Sequence, residues 1–120
     1  MKIIILGYPK SGKTKFSSKF SDVIHSDDFI KDYDFKSQIY VLMSQIQGKD
    51  YVVEGIQGFR LFRKMLELNK DIPDEVYYIK PKYPALPEHE RTRKMLDTVL
   101  RDCLILNKNN QIKVTYIEGE

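Results

Sequence analysis

The chain lacks most of the features that would place it in an oxidising, membrane or metal-framed setting. Cys103 is the only cysteine, which excludes a disulfide framework and a cysteine-based metal site. The two histidines, His25 and His89, lie far apart without ligand spacing, so a zinc site is not expected. No apolar run approaches the roughly 18 residues of a membrane span. The apolar stretch 3–6 is too short for a signal-peptide core, and no small-residue cleavage site follows it. A cytoplasmic setting is therefore expected. Charge of one sign is also missing: 20 basic against 17 acidic residues leave +3, which by itself does not argue for nucleic acid. There is no internal repeat and no low-complexity tract.

What is present is ordinary for a globular protein: 42% apolar and 31% charged residues over 120 positions, expected to form a single domain, 1–120. Continuous apolar runs alternate with helical periodicity. Residues 3–6 predict a buried strand, 23–24 a brief second strand, 51–53 a third, 75–79 a fourth and 112–117 a fifth. Between them, residues 13–20, 35–47, 59–68 and 88–107 predict helices. The second is stopped by Gly48, and the last carries apolar pairs Met95/Leu96, Val99/Leu100 and Cys103/Leu104. Cys103 on that stripe predicts a core position. Tyr77 and Tyr78 fall in a strand, so one is expected to pack inward and no base-stacking platform is implied. Such an alternation predicts a parallel sheet with helices on both faces. Sheets of this kind bind ligands beyond the carboxyl ends of their strands.

Directly after the first strand stands Gly7-Tyr8-Pro9-Lys10-Ser11-Gly12-Lys13-Thr14, which fits G-x-x-x-x-G-K-[ST]. Glycines let the backbone approach phosphates, and successive N–H groups with a following helix start supply positive potential. Lys13 would reach the terminal phosphates of a nucleoside triphosphate, and the Thr14 hydroxyl would bind Mg²⁺. Gly7, Pro9, Lys10, Ser11, Gly12, Lys13, Thr14 and Lys15 form the expected nucleotide-binding set.

Two further strands end in carboxylates: His25-Ser26-Asp27-Asp28 and Val53-Glu54-Gly55. A carboxylate there can accept the proton of an attacking hydroxyl or hold Mg²⁺. The alternatives are a helix or turn cap at Asp27 and a solvated strand end at Glu54.

Taken in this order, Gly7-x-Pro9-x-Ser11-Gly12-Lys13-Thr14, then Ile24-His25-Ser26-Asp27-Asp28-Phe29, then Val52-Val53-Glu54-Gly55 resembles the small P-loop kinases. The pattern is similar to uridine kinases and nicotinamide riboside kinases, and to the P-loop domain of polynucleotide kinases. The likeness covers about the first 60 residues. It implies a three-layer P-loop NTPase fold with a five-stranded parallel sheet and a reduced lid. It also implies ATP and Mg²⁺ as cofactors, Asp27 as general base, and Thr14, Asp27 and Glu54 as the metal set.

The acceptor would be a small nucleoside-like molecule or a 5′-hydroxyl polynucleotide end. Lys10 departs from the family pattern, where glycine is usual. Only residues 81–90 are available for a lid. Arg91 and Arg93 follow it and could neutralise charge on a moving phosphoryl group. The alternative is that Glu88-His89-Glu90-Arg91-Thr92-Arg93-Lys94 is a solvated charged turn. Arg60 could touch an acceptor or simply face solvent. Asn69-Lys70-Asp71-Ile72 and Asn107-Lys108-Asn109-Asn110 both lack the final aspartate of a guanine-reading Asn-Lys-x-Asp. The rival expectations are a non-catalytic nucleotide-binding module of a larger assembly and a slow ATPase switch.

Overall fold

The computed structural model describes residues 1–7, 16–29, 33–55, 57–80, 87, 90–107 and 112–118. Five strands form one all-parallel sheet: β1 (Lys2–Gly7), β2 (Val23–His25), β3 (Tyr51–Glu54), β4 (Glu75–Lys80) and β5 (Lys113–Glu118), in the order β2-β3-β1-β4-β5. The helices are α1 (Ser26–Phe29), α2 (Phe35–Ile46), α3 (Gly58–Leu68) and α4 (Glu90–Asn107). The radius of gyration, 13.4 Å, is that of a compact α/β domain. No described helix is long and apolar enough to cross a membrane.

β1 is continuously apolar because both of its faces are covered. Side chains alternate across the sheet. Ile4 and Leu6 join one core with Ile39 and Leu42 of α2, Phe59, Phe62 and Met65 of α3, and Leu100 of α4. Ile3 and Ile5 face the other way, against Ile79, Phe16, Phe20, Val52 and Tyr77. The three longer helices therefore share one face, while Phe16 and Phe20 cover the opposite one among the described residues. Tyr77 and Tyr78 both pack, on opposite faces. Tyr78 joins the helical side, and Tyr77 sits 5.2 Å from the Phe16 ring.

The expected helix 13–20 is described only from Phe16. Its helical backbone ends at Ser17, where Phe16 and Ser17 carbonyls accept from Lys19 and Phe20 N–H and turn the chain. The short helix α1 was not expected: Ser and Asp favour a helical first turn, and they bend the chain immediately after β2. Met95, Leu96, Val99 and Cys103 have side chains outside the described residues, but Leu100 and Leu104 lie on the core side of α4 as their spacing predicts.

α3 crosses over β1 between β3 and β4. Gly58 makes this possible, because a Cβ there would lie 3.0 Å from Leu6 Cδ2 and 3.4 Å from Ile4 Cγ2. The helix ends at Asn69, whose left-handed backbone (φ 52°) sends its N–H back to the Met65 carbonyl. α2 is stopped at Gly48 (φ 67°) as expected and is opened by Asp34, whose Oδ1 accepts from Ser37 N–H at 2.8 Å.

Hydrogen bonds from Ser37 hold the Asp34 carboxyl below its ordinary 3.8. The folded chain then takes up this proton less readily than the unfolded one. The cap's charge-dependent contribution is present above about pH 4 and is lost as pH falls through the lowered value. Asp34→Ala should lower the urea midpoint at pH 7, and the gap to wild type should narrow on acidification. A gap independent of pH would show that the cap does not act through its charge.

Candidate functional site at the carboxyl edge of the sheet

All five strands point their carboxyl ends to one edge, so β1 delivers Gly7 there between the ends of β3 and β4. Gly7 pairs in register with Ile79, and Ile5 with Glu54. Pro9, Lys10, Ser11, Gly12, Lys13, Thr14 and Lys15 lie outside the described residues, as do residues 81–86, 88 and 89 of the expected lid. The described part of the edge is formed by Gly7, His25, Ser26, Asp27, Glu54, Gly55 and the first turn of α3.

His25 and Glu54 are register partners at the ends of β2 and β3, so their side chains leave the sheet together. The His25 Nδ1–H donates to Glu54 Oε1 at 2.6 Å. Glu54 is buried, which argues against the alternative of a solvated strand end, while His25 remains partly exposed beside it. The second carboxylate oxygen, Glu54 Oε2, is buried and finds no partner among the described residues; Ser26 Oγ is in the same condition. Orphaned buried oxygens are uncommon in folded proteins and ask for a partner. Both lie at this edge.

Gly55 joins them. Its φ of 129° is open to glycine alone, and a Cβ would overlap Ser26 Oγ and lie 3.3 Å from Asp27 Oδ1. The β3 end therefore passes flush against α1, which brings Asp27 beside the Glu54–Gly55 step. Asp27 itself is exposed, as a group that meets a solute must be.

The arginines separate. Arg60 lies in the first turn of α3, half-buried, and its Nη1 donates to Gln57 Oε1 at 2.9 Å. Burial lowers the Arg60 guanidinium from its ordinary value, yet a guanidinium stays charged in such a setting. Arg93 is close enough to Tyr78 of β4 to counteract the upward push that burial gives that phenol. Arg91 is exposed at the start of α4. Neither is seen against Asp27 or Glu54 among the described contacts.

Among the described residues, no group of three or more His, Cys, Asp or Glu could hold a metal ion. The expected Mg²⁺ set draws on Thr14, which is not described, so only Asp27 and Glu54 can be compared with it. Glu54 Oε2, buried and without a partner among the described residues, would suit a cation or a water held by one.

His25 stands out in the sequence only as a candidate zinc ligand. Its signal was positional: it ends β2 as Glu54 ends β3, and parallel pairing brings strand ends side by side. No protein-family model matches the sequence, and no curated protein matches it.

The His25–Glu54 contact should be cooperative. A double-mutant cycle of His25→Ala with Glu54→Gln, read by urea unfolding, should give a coupling of about 0.5–3 kcal/mol; additive effects would mean that the two groups do not act together. Gly55→Ala should lower stability by about 1–3 kcal/mol through backbone strain alone. Gly48→Ala, with open space around it, should cost only about 1 kcal/mol. Equal shifts in thermal midpoint would show that the Gly55–Ser26 contact is dispensable.

Proposed function

We propose that the chain is a nucleotide-binding domain of the P-loop class. β1 is the point where strand order reverses, running through β3 to β2 on one side and through β4 to β5 on the other. Ligands of open parallel sheets bind outside the carboxyl ends at such a point. The phosphate motif begins at Gly7, at the end of that strand.

Within that class, the reaction we infer is transfer of the γ-phosphoryl group of ATP to a hydroxyl. The observation that carries it is that Asp27 and Glu54 share the edge from which the Gly7–Thr14 motif departs. Lys13 would hold the terminal phosphates. Asp27, exposed and seated by Gly55, would take the proton of the acceptor hydroxyl as its oxygen bonds to the γ-phosphorus and the β–γ bridging bond breaks, leaving ADP. Glu54 and Thr14, with Asp27, would hold Mg²⁺, which would offset phosphate charge when bound. The His25 Nδ1–H fixes one Glu54 oxygen and leaves the other directed to this purpose. Arg91 and Arg93 would supply further positive charge from the start of α4.

Mg-ATP with a panel of nucleosides, sugars and 5′-hydroxyl oligonucleotides should yield a phosphorylated acceptor. Asp27→Ala should cut the transfer rate by about 10²–10⁴-fold while ATP binding persists. Lys13→Ala should weaken ATP binding itself. Tight ATP binding with no transfer to any acceptor, and identical behaviour of Asp27→Ala, would favour a non-catalytic nucleotide-binding module. Release of phosphate without any acceptor would favour an ATPase switch.

A further inference from the structure

His25 and Glu54 end β2 and β3 on the face of the sheet opposite the three longer helices. Ile24 and Val53, their neighbours in sequence, join the helical core, while Val52 packs with Ile3 and Ile5 on the other side. The two side chains divide their exposure unequally: Glu54 keeps 7% of its side-chain surface and His25 keeps 43%. A dry carboxylate thus backs a reachable imidazole. Glu54 is the only partner of His25 among the described residues.

That bond sets the state of the ring. A carboxylate only accepts, so the 2.6 Å contact places the ring proton on Nδ1. The lone pair of the neutral ring then lies on Nε2, the nitrogen that Glu54 does not hold. Beside the ring is a hollow of about 290 Å³, lined by Ser17, Ser18, Phe20, Val23 and His25 itself. Liquid water takes about 30 Å³ per molecule, so the hollow has room for a phosphoryl group with some of its waters. A carboxylate bonded to one ring nitrogen prepares the other for attack: it fixes the tautomer, orients the ring and stabilises the imidazolium that forms. Burial of Glu54 strengthens that stabilisation, because little water stands between the two charges.

We propose that His25 Nε2 is a phosphoryl acceptor, forming a phosphohistidine at the carboxyl edge of the sheet. The inference rests on the phosphotransferase reading for its donor, the γ-phosphoryl group of ATP. The Nε2 lone pair forms the N–P bond as the β–γ bridging P–O bond breaks, and the electron pair of that bond leaves with ADP. The ring then carries one positive charge, held against Glu54 Oε1, and loses it when the Nδ1 proton passes to solvent. Only Oε1 takes part, so Glu54 Oε2 can still meet Mg²⁺. Asp27 is left to the hydroxyl acceptor, and His25 is a second destination for the same phosphoryl group. An imidazolium is a good leaving group, so the transfer runs both ways and ADP should discharge the protein.

The test separates the ring from its donor. Potassium phosphoramidate phosphorylates imidazoles without any nucleotide site. The full chain is incubated with it and, in parallel, with Mg-ATP labelled at the γ-position. Products are read by intact mass, by survival of the phosphate in alkali and its loss in acid, and by ³¹P NMR, which distinguishes the two ring nitrogens. His25 should take a phosphoryl group from either donor, on Nε2, and ADP should remove it as ATP. His25→Gln should abolish the label, and His89→Gln, at the only other histidine, should leave the phosphoramidate product unchanged. Glu54→Gln keeps a partner for the Nδ1–H without the charge. It should slow labelling about tenfold, the difference between a charge-assisted and a neutral hydrogen bond. Glu54→Ala frees Nδ1, and label should then appear on both nitrogens, a change that lost packing alone would not produce.

No acid-labile phosphate from phosphoramidate, equal label on His25 and His89, or wild-type label on Nδ1 overturns the inference. So does transfer from ATP to an added hydroxyl acceptor while ATP never labels His25. Label on His25 from phosphoramidate, with no transfer from ATP to His25 or to any acceptor, overturns the phosphotransferase reading alone.

Discussion

Burial of β1 on both faces is the constraint on which the rest depends. Ile4 and Leu6 hold the helical side and Ile3 and Ile5 the other, with almost no exposed surface among them. A strand covered in this way must sit in the middle of its sheet, with neighbours satisfying both of its backbone edges. β3 and β4 do so, and the connection between them must then cross over β1. Gly58 lets α3 make that crossing in contact with Leu6. The central position of β1, the crossing of α3 and the placement of Gly7 between the ends of β3 and β4 are thus one arrangement.

The two edges of the sheet differ in how their polar groups are satisfied. At the amino edge, Asp74 exchanges bonds with Lys2, its Oδ2 accepting from the Lys2 N–H and its own N–H donating to the Lys2 carbonyl, each at 2.8 Å. Asp71 accepts from the Gly48 N–H and lies 3.5 Å from Lys2 Nζ, and its carbonyl accepts from the buried Tyr51 hydroxyl. Burial, reinforced by Asp71 and Asp74, pushes the Tyr51 phenol well above its ordinary value, so it remains a hydrogen-bond donor at any physiological pH. This edge is stitched closed. The carboxyl edge keeps Glu54 Oε2 and Ser26 Oγ without partners among the described residues. An unpartnered buried oxygen costs stability, and both of these lie at the edge where β1 ends in Gly7.

Much of this was legible because the signals were local. A continuous apolar run ending in glycine announces a buried strand and a turn, and helical spacing announces α2, α3 and α4. The carboxylates were found because Asp27 and Glu54 directly follow such runs. What the sequence did not disclose depends on neighbours distant along the chain. Burial of Glu54 and its bond to His25 follow from parallel pairing of β2 with β3, and no residue near either announces that register. The turn that follows Ser17 and the left-handed backbone of Asp22 (φ 53°) before β2 are local backbone choices that compete closely with continuation of a helix. The left-handed cap at Asn69 is similar: asparagine permits it, yet is common in loops of every kind.

The outer faces of α2 and α3 were equally hidden, for a different reason. Along either helix alone, Lys36, Arg60, Arg63 and Lys64 are ordinary solvated cations. The two rows come side by side only when the crossing of α3 over β1 sets it beside α2. Each hydrophobic position that fixes the inner face of α3, Phe59 and Phe62 above all, therefore also fixes the direction of the cations between them. Arg60 and Arg63 each follow one of these anchors directly in sequence. In so short a chain the same helix closes the core over β1, begins beside the Glu54–Gly55 step, and carries the cations that face α2. A change in its inner face would disturb all three together.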